Sequence, residues 1–240
     1  MSWIERKVGV VLAGIAEAAE RAGRRPEDIT LVAVTKGVPA ERIREGIALG
    51  LRNFGENRVQ EAEVKYKEFP EEVCWHFIGR LQGNKVRRLV PFVGVIHSLD
   101  RVELAEEIQR RATRPVEVLI EVNTTGEQTK GGVPPSELPR LVEATAGLER
   151  VRLTGLMTIA HPIVESSDEA RVSFRRLARL REEMRRRFPE VGLGHLSMGM
   201  SQDYVVAVEE GATMVRVGEA IFGAAGQARA VTKRGGRSEG

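Results

Sequence analysis

Lys36 ends the first apolar run of the chain, Thr30-Leu-Val-Ala-Val-Thr-Lys36, and the breakers Gly37 and Pro39 follow at once. An amine at the C-terminal end of a buried strand loses hydration, which favours its neutral, nucleophilic form. The competing role is a lysine that extends to the rim and pairs with a carboxylate. Two glycine-bearing turns lie far downstream, Ser197-Met-Gly-Met-Ser201 and Arg216-Val-Gly-Glu219. Gly199 permits a tight turn, Ser201 brings a hydroxyl, the helical pattern from Tyr204 to Glu210 offers first-turn amides to an anion, and Gly218 allows close backbone approach beside Arg216. Together these residues could hold a phosphate and bind an aldehyde covalently.

These residues need a scaffold that brings distant strand ends to one face. Short β-branched runs alternate with helical patterns along the chain, which predicts a parallel sheet with crossover helices. The strands are expected at Leu31 to Lys36, Asn53 to Glu56, Trp75 to Gly79, Val93 to His97, Val116 to Asn123, Leu153 to Thr158, His195 to Ser197 and Met214 to Val217. Helices are expected at Ala40 to Leu51, Val59 to Phe69, Val102 to Ala112, Pro135 to Thr145, Glu169 to Phe188 and Tyr204 to Glu210. Eight such units in 240 residues suit an α/β fold of the (β/α)8 TIM barrel type, spanning residues 1–226 as one domain. A doubly wound open sheet would carry a glycine-rich phosphate turn after its first strand, where this chain has Thr-Lys-Gly-Val-Pro. An extra N-terminal helix from Ser2 to Arg21 could cover the barrel floor, and the apolar-poor tail 227–240 is expected to fray.

In such a barrel the residues after each strand converge on one rim. The list there is rich in hydroxyls, amides and glycines: Lys36, Glu56, Asn57, His76, Gln82, Asn84, His97, Ser98, Asn123, Met157, Thr158 and the two downstream turns. That composition suits an anionic ligand more than a metal. His76, His97, His161 and His195 fall on separate segments without paired ligand spacing, so each is read as a hydrogen-bonded barrel or loop histidine. No Walker A loop is present.

Composition narrows the classes further. The chain is 42% hydrophobic and 30% charged with a net charge of +3, the balance of a soluble protein rather than a nucleic-acid binder. The arginines from Arg175 to Arg187 interleave with Leu177, Leu180, Met184 and Phe188, the pattern of a solvated helix with an apolar stripe. Cys74 is the single cysteine, which fits a reducing cytoplasm, and there is no signal peptide pattern or membrane-length apolar run.

A phosphate grip, a lysine and a barrel together suggest pyridoxal 5'-phosphate bound as a Schiff base. The sequence resembles the pyridoxal phosphate homeostasis proteins, which share the alanine racemase N-terminal barrel. The resemblance is carried by Ala33-Val-Thr-Lys36, Phe54-Gly-Glu-Asn57, His76-Phe-Ile-Gly-Arg-Leu-Gln-Gly-Asn-Lys85, His97-Ser-Leu-Asp100, Leu196-Ser-Met-Gly-Met-Ser201, Met214-Val-Arg-Val-Gly218 and Ala220-Ile-Phe-Gly223. It implies that Lys36 binds the cofactor covalently, that Ser201 and the amides around Gly218 and Glu219 hold the phosphate, that Arg216 faces the pyridine nitrogen, and that Asn57 and Met200 line the pocket. Glu219 departs from the small hydroxyl residue of many relatives, so its side chain must turn away and leave the grip to backbone N–H groups.

The same resemblance implies a carrier that buffers and delivers pyridoxal phosphate, with cofactor-dependent apoenzymes as partners. Racemisation needs a second base, which racemases take from a tyrosine on a β-domain; here only Tyr66 and Tyr204 occur, expected at the surface and in packing or capping respectively. The alternatives are a single-domain amino-acid racemase and a barrel enzyme acting on phosphorylated sugars through a lysine imine. Lack of a β-domain favours a monomer.

Overall fold

The computed structural model describes residues 1–69, 73–160 and 167–223; His161 and the tail 227–240 lie outside them. Eight parallel strands close into a barrel in chain order: β1 (Thr30–Val34), β2 (Asn53–Glu56), β3 (Cys74–Phe77), β4 (Val95–Leu99), β5 (Val116–Glu121), β6 (Val151–Met157), β7 (His195–Ser197) and β8 (Met214–Val217), with β8 pairing back to β1. Alternation along each strand divides the side chains between two environments. Phe54, Trp75, Ile96, Val118, Leu196 and Val215 join the large apolar layer under the helices, whereas Val95, Leu119, Met157 and Met214 form a small separate cluster with Cys74.

The helices are α1 (Trp3–Arg21), α2 (Ala40–Ala48), α3 (Val59–Glu68), α4 (Val86–Leu89), α5 (Val102–Arg111), α6 (Leu138–Ala146), α7 (Asp168–Arg187), α8 (Tyr204–Glu209) and α9 (Glu219–Phe222). Ser2 caps α1 through a capping box with Glu5, and the spacing of Ile4, Val8, Val11, Ile15 and Ala18 turns one stripe inward. That stripe does not cover the barrel floor. Helix α1 packs on α8, α9 and α2, because the four-residue α9 is too short to fill the outer layer between β8 and β1. The ring of Tyr204 rests against Gly14, where a Cβ would lie 2.5 Å from the phenol oxygen.

Helix α7 buries Phe174, Leu177 and Met184, as its apolar stripe requires. Its arginines are only in part a solvated face. Arg171 and Arg175 clamp Glu209 and Glu210 at the end of α8, and Arg176 donates to the Thr124 carbonyl after β5 at 3.0 Å. Among the described residues no helix is long and apolar enough to cross a membrane.

One glycine sets how closely two strands approach. A Cβ on Gly155 of β6 would sit 2.2 Å from the His195 carbonyl oxygen of β7. Backbone on both sides leaves little room for relaxation, so Gly155→Ala is expected to cost roughly 2 kcal/mol or more by overpacking, read as a lower urea midpoint at unchanged slope.

Candidate functional site

Strand β1 ends at Val34, and the turn Thr35 to Val38 closes with Val38 N–H on the Thr35 carbonyl at 2.9 Å, with Gly37 at φ +67°. The buried amine expected at Lys36 is not found. Thr35 is the fully buried residue of the turn, and Lys36 lies one step further out, exposed and without a hydrogen bond or ion pair among the described residues. The lysine that is mostly buried is Lys65 of α3, which donates to the Thr35 carbonyl at 2.6 Å and pairs with Glu56. Burial pushes the Glu56 carboxyl up, and Lys65 and Thr35 oppose that push. This triad ties α3 to the ends of β1 and β2 directly behind Lys36.

The turns after β7 and β8 meet as expected. Gly199 takes φ +94°, and the Asp203 carboxylate accepts the Met200 N–H, which shapes the loop holding Ser201. Ser201 Oγ in turn accepts the Ala220 N–H of α9 at 3.2 Å, joining the two turns. Because that oxygen is accepting, the hydroxyl proton remains available to an anion. The bareness of Gly218 serves the fold: a Cβ there would lie 2.8 Å from the Val34 carbonyl, so the glycine lets β8 close on β1 and sets the α9 turn beside the Lys36 turn. Glu219, Met200 and Asn57 are all exposed.

Arg216 is buried, only 4% exposed. Its Nη1 donates to Ser197 Oγ at 2.6 Å and its Nη2 to the Thr158 carbonyl at 3.0 Å. Burial drags its pKa down to about 10, while Asp203 and Glu121 act to raise it. Behind it, the imidazoles expected as barrel histidines are joined: His97 contacts Ser197 Oγ and His76, and His76 reaches Asn53. His195 sits near the Thr213 hydroxyl, 3.3 Å away. Burial lowers His76 to about 4 and, with His76 and Arg216 nearby, holds His97 well below its ordinary value.

Tyr66 is half-buried and stacked on Phe92 at 4.6 Å rather than fully at the surface, and Tyr204 packs on α1. Among the described residues no three His, Cys, Asp or Glu are placed to hold a metal. Every donor converging on the β7–β8 turns is a hydroxyl, an amide or a guanidinium, a set that suits a phosphate-bearing ligand.

Glu121 at the end of β5 escaped the sequence reading, since a single glutamate closing an apolar strand carries no pattern. It is buried without a hydrogen bond or ion pair among the described residues, and burial plus Asp100 raise it to about 7. Its native form therefore binds a proton that the unfolded chain has released, so its contribution to stability is intact below pH 4.5 and is lost as pH rises through about 7. The two imidazoles act oppositely: unfolded histidine takes up a proton below 6.5 and native His76 only near 4, so stability falls as pH drops through that window. Glu121→Gln is expected to raise unfolding free energy by on the order of 1–3 kcal/mol near pH 8 and to change it little near pH 4, measured by urea denaturation at both.

The profile of the alanine racemase N-terminal domain family matches residues 12–226. A pyridoxal phosphate homeostasis protein of Aquifex aeolicus is 51% identical over 217 residues, covering 89% of this chain and 94% of its own, and that of Escherichia coli K12 is 42% identical over 231 residues, covering 93% and 97%. Among solved structures, PipY of Synechococcus elongatus with pyridoxal phosphate bound aligns with a TM-score of 0.77 at 38% identity, covering 87% of this chain and all of that one. Alanine racemase of Corynebacterium glutamicum, at 15% identity and a TM-score of 0.63, shares the barrel over 59% of its length. A closed eight-stranded barrel, a serine–glycine turn pair at its rim and near-complete coverage of these relatives agree: the chain belongs to the pyridoxal phosphate homeostasis protein family, with the fold of the alanine racemase N-terminal domain.

Proposed function

We propose that this protein binds pyridoxal 5'-phosphate at the β1, β7 and β8 end of the barrel and takes part in intracellular pyridoxal phosphate homeostasis as a carrier rather than a racemase. The observation that carries the reading is the meeting of donors there: Ser201 bonded to the α9 turn, with the buried Arg216 on β8 and the free amine of Lys36 in the turn after β1. When bound, the cofactor supplies an aldehyde that an amine can capture and a ring that can draw electrons. Lys36 supplies the amine and holds the cofactor as a Schiff base. Ser201 and the amides of Gly218 and Glu219 bind the phosphate, and Asn57 and Met200 border the pocket. Arg216 donates to the pyridine nitrogen.

A guanidinium keeps its proton, so Arg216 leaves the ring nitrogen unprotonated and the electron sink weak. Exchange of the cofactor with cofactor-dependent apoenzymes in the cytoplasm, by a monomer, completes the proposal. The exposed position of Lys36 favours exchange, since another amine can reach the bond it makes.

Borohydride reduction of the cofactor-loaded protein followed by peptide mass analysis is expected to place one pyridoxyl group on Lys36, and Lys36→Ala to lose both that label and the yellow colour. A colourless unaltered protein would return the chain to the phosphorylated-sugar class. Ser201→Ala is expected to weaken cofactor retention roughly tenfold, the loss of one charge-assisted hydrogen bond, in an equilibrium dialysis series. Incubation with L-amino acids in deuterium oxide separates the two cofactor-based readings: no α-deuteration is expected, and Lys36-dependent exchange would establish the racemase instead.

A further inference from the structure

The centre of a barrel of this type is ordinarily filled by layers of apolar side chains. Here a file of polar groups crosses it. Arg216 Nη1 on β8 is 2.6 Å from Ser197 Oγ on β7, and that oxygen is 2.8 Å from His97 Nδ1 on β4, across the barrel. His97 Nε2 is 2.9 Å from His76 Nδ1 on β3, and His76 Nε2 is 3.0 Å from Asn53 Oδ1 on β2.

With Asn53 Oδ1 facing His76, the file has a single consistent proton assignment. Asn53 Oδ1 only accepts, so His76 carries its proton on Nε2 and accepts at Nδ1. His97 must then donate from Nε2 and accept at Nδ1, where the Ser197 hydroxyl donates, which leaves the Ser197 oxygen free to accept from Arg216. Protonating either imidazole would break this order. His97 faces His76 from β3, Arg216 from β8 and His195 from β7, all of them basic, so an imidazolium there would find no carboxylate partner among them.

We propose that Ser197, His97 and His76 are positioning residues for Arg216: a one-way run of donors ending on Asn53 holds the Ser197 lone pair toward the guanidinium, and so fixes the plane in which Arg216 meets the pyridine nitrogen. Serine alone would not do this, since its hydroxyl proton could rotate toward the cation. The Thr158 carbonyl secures a second edge of the guanidinium and leaves its remaining N–H groups for the ring. This role rests on the reading of the rim as a pyridoxal phosphate site.

Nitrogen-15 NMR of the histidines in the unaltered, cofactor-loaded chain tests the proton order without any substitution. Both His76 and His97 are expected as neutral Nε2–H tautomers from about pH 5 to about pH 9; an Nδ1–H tautomer or a charged ring at His97 would overturn the proposal. The second arm compares Ser197→Ala, His97→Leu and His97→Asn, the last keeping a hydrogen-bonding group near the Nδ1 position. Borohydride labelling of Lys36 should be retained in all three. Cofactor release should quicken roughly tenfold and the visible band should shift in Ser197→Ala and His97→Leu, with the variant combining Ser197→Ala and His97→Leu no worse than Ser197→Ala, and His97→Asn should restore both readouts. An unchanged band in Ser197→Ala, or additive losses in the double variant, would sink the positioning role. Failure to label Lys36 in the unaltered chain would instead remove the cofactor reading, a result distinct from a wrong tautomer.

Discussion

A guanidinium with 4% exposure inside a barrel is the constraint around which the rest of the site is arranged. Removing such a charge from water costs several kcal/mol unless hydrogen bonds and nearby opposite charges offset it. Arg216 makes no ion pair among the described residues; it is held by a serine, a carbonyl and the more distant fields of Asp203 and Glu121. Groups that would compete are kept electrically quiet, with both inner imidazoles neutral. The apolar cluster of Val95, Leu119, Met157 and Met214 supplies a low-dielectric setting in which those few contacts gain strength.

The site proper is a seam between the last two strands and the first. Three short-range devices make it: the Asp203 carboxylate on the Met200 amide, Ser201 on the Ala220 amide, and a bare Gly218 pressed against Val34. Each fixes backbone rather than side chain, which leaves the exposed parts of the rim to Lys36, Asn57, Met200 and Glu219. On the proposed reading, a phosphate grip set by backbone beside an accessible amine would suit holding and passing on a cofactor. A closed, water-excluding pocket would suit turnover better.

Much of this was legible in the chain. Strand order followed from the alternation of β-branched runs with helical patterns, and the eight strands fall where that alternation puts them, within a few residues. The turns at Ser201 and Gly218 were readable because glycine and serine leave local signatures. Less legible was anything decided across the barrel. His97 and Ser197 are a hundred positions apart and on non-adjacent strands, so no window could pair them. Lys36 was misplaced by two residues of strand, because Thr35, β-branched and buried, continues the pattern by composition while its hydroxyl turns to Glu56 at 2.6 Å. Helix α4 is four residues after a tight turn, too short to show a period.

Helix α1 carries one more implication, for how the chain acquires its shape. It closes the outer ring by packing on α8 and α9, so during synthesis it must wait for two helices made far downstream of it. Its stripe of Ile4, Val8, Val11 and Ile15 stays without its final partner through most of synthesis. Contacts of such sequence separation slow folding and prolong the exposure of apolar surface. Barrel closure in this protein therefore joins distant parts of the chain, and nascent chains are most prone to aggregate just before α8 emerges.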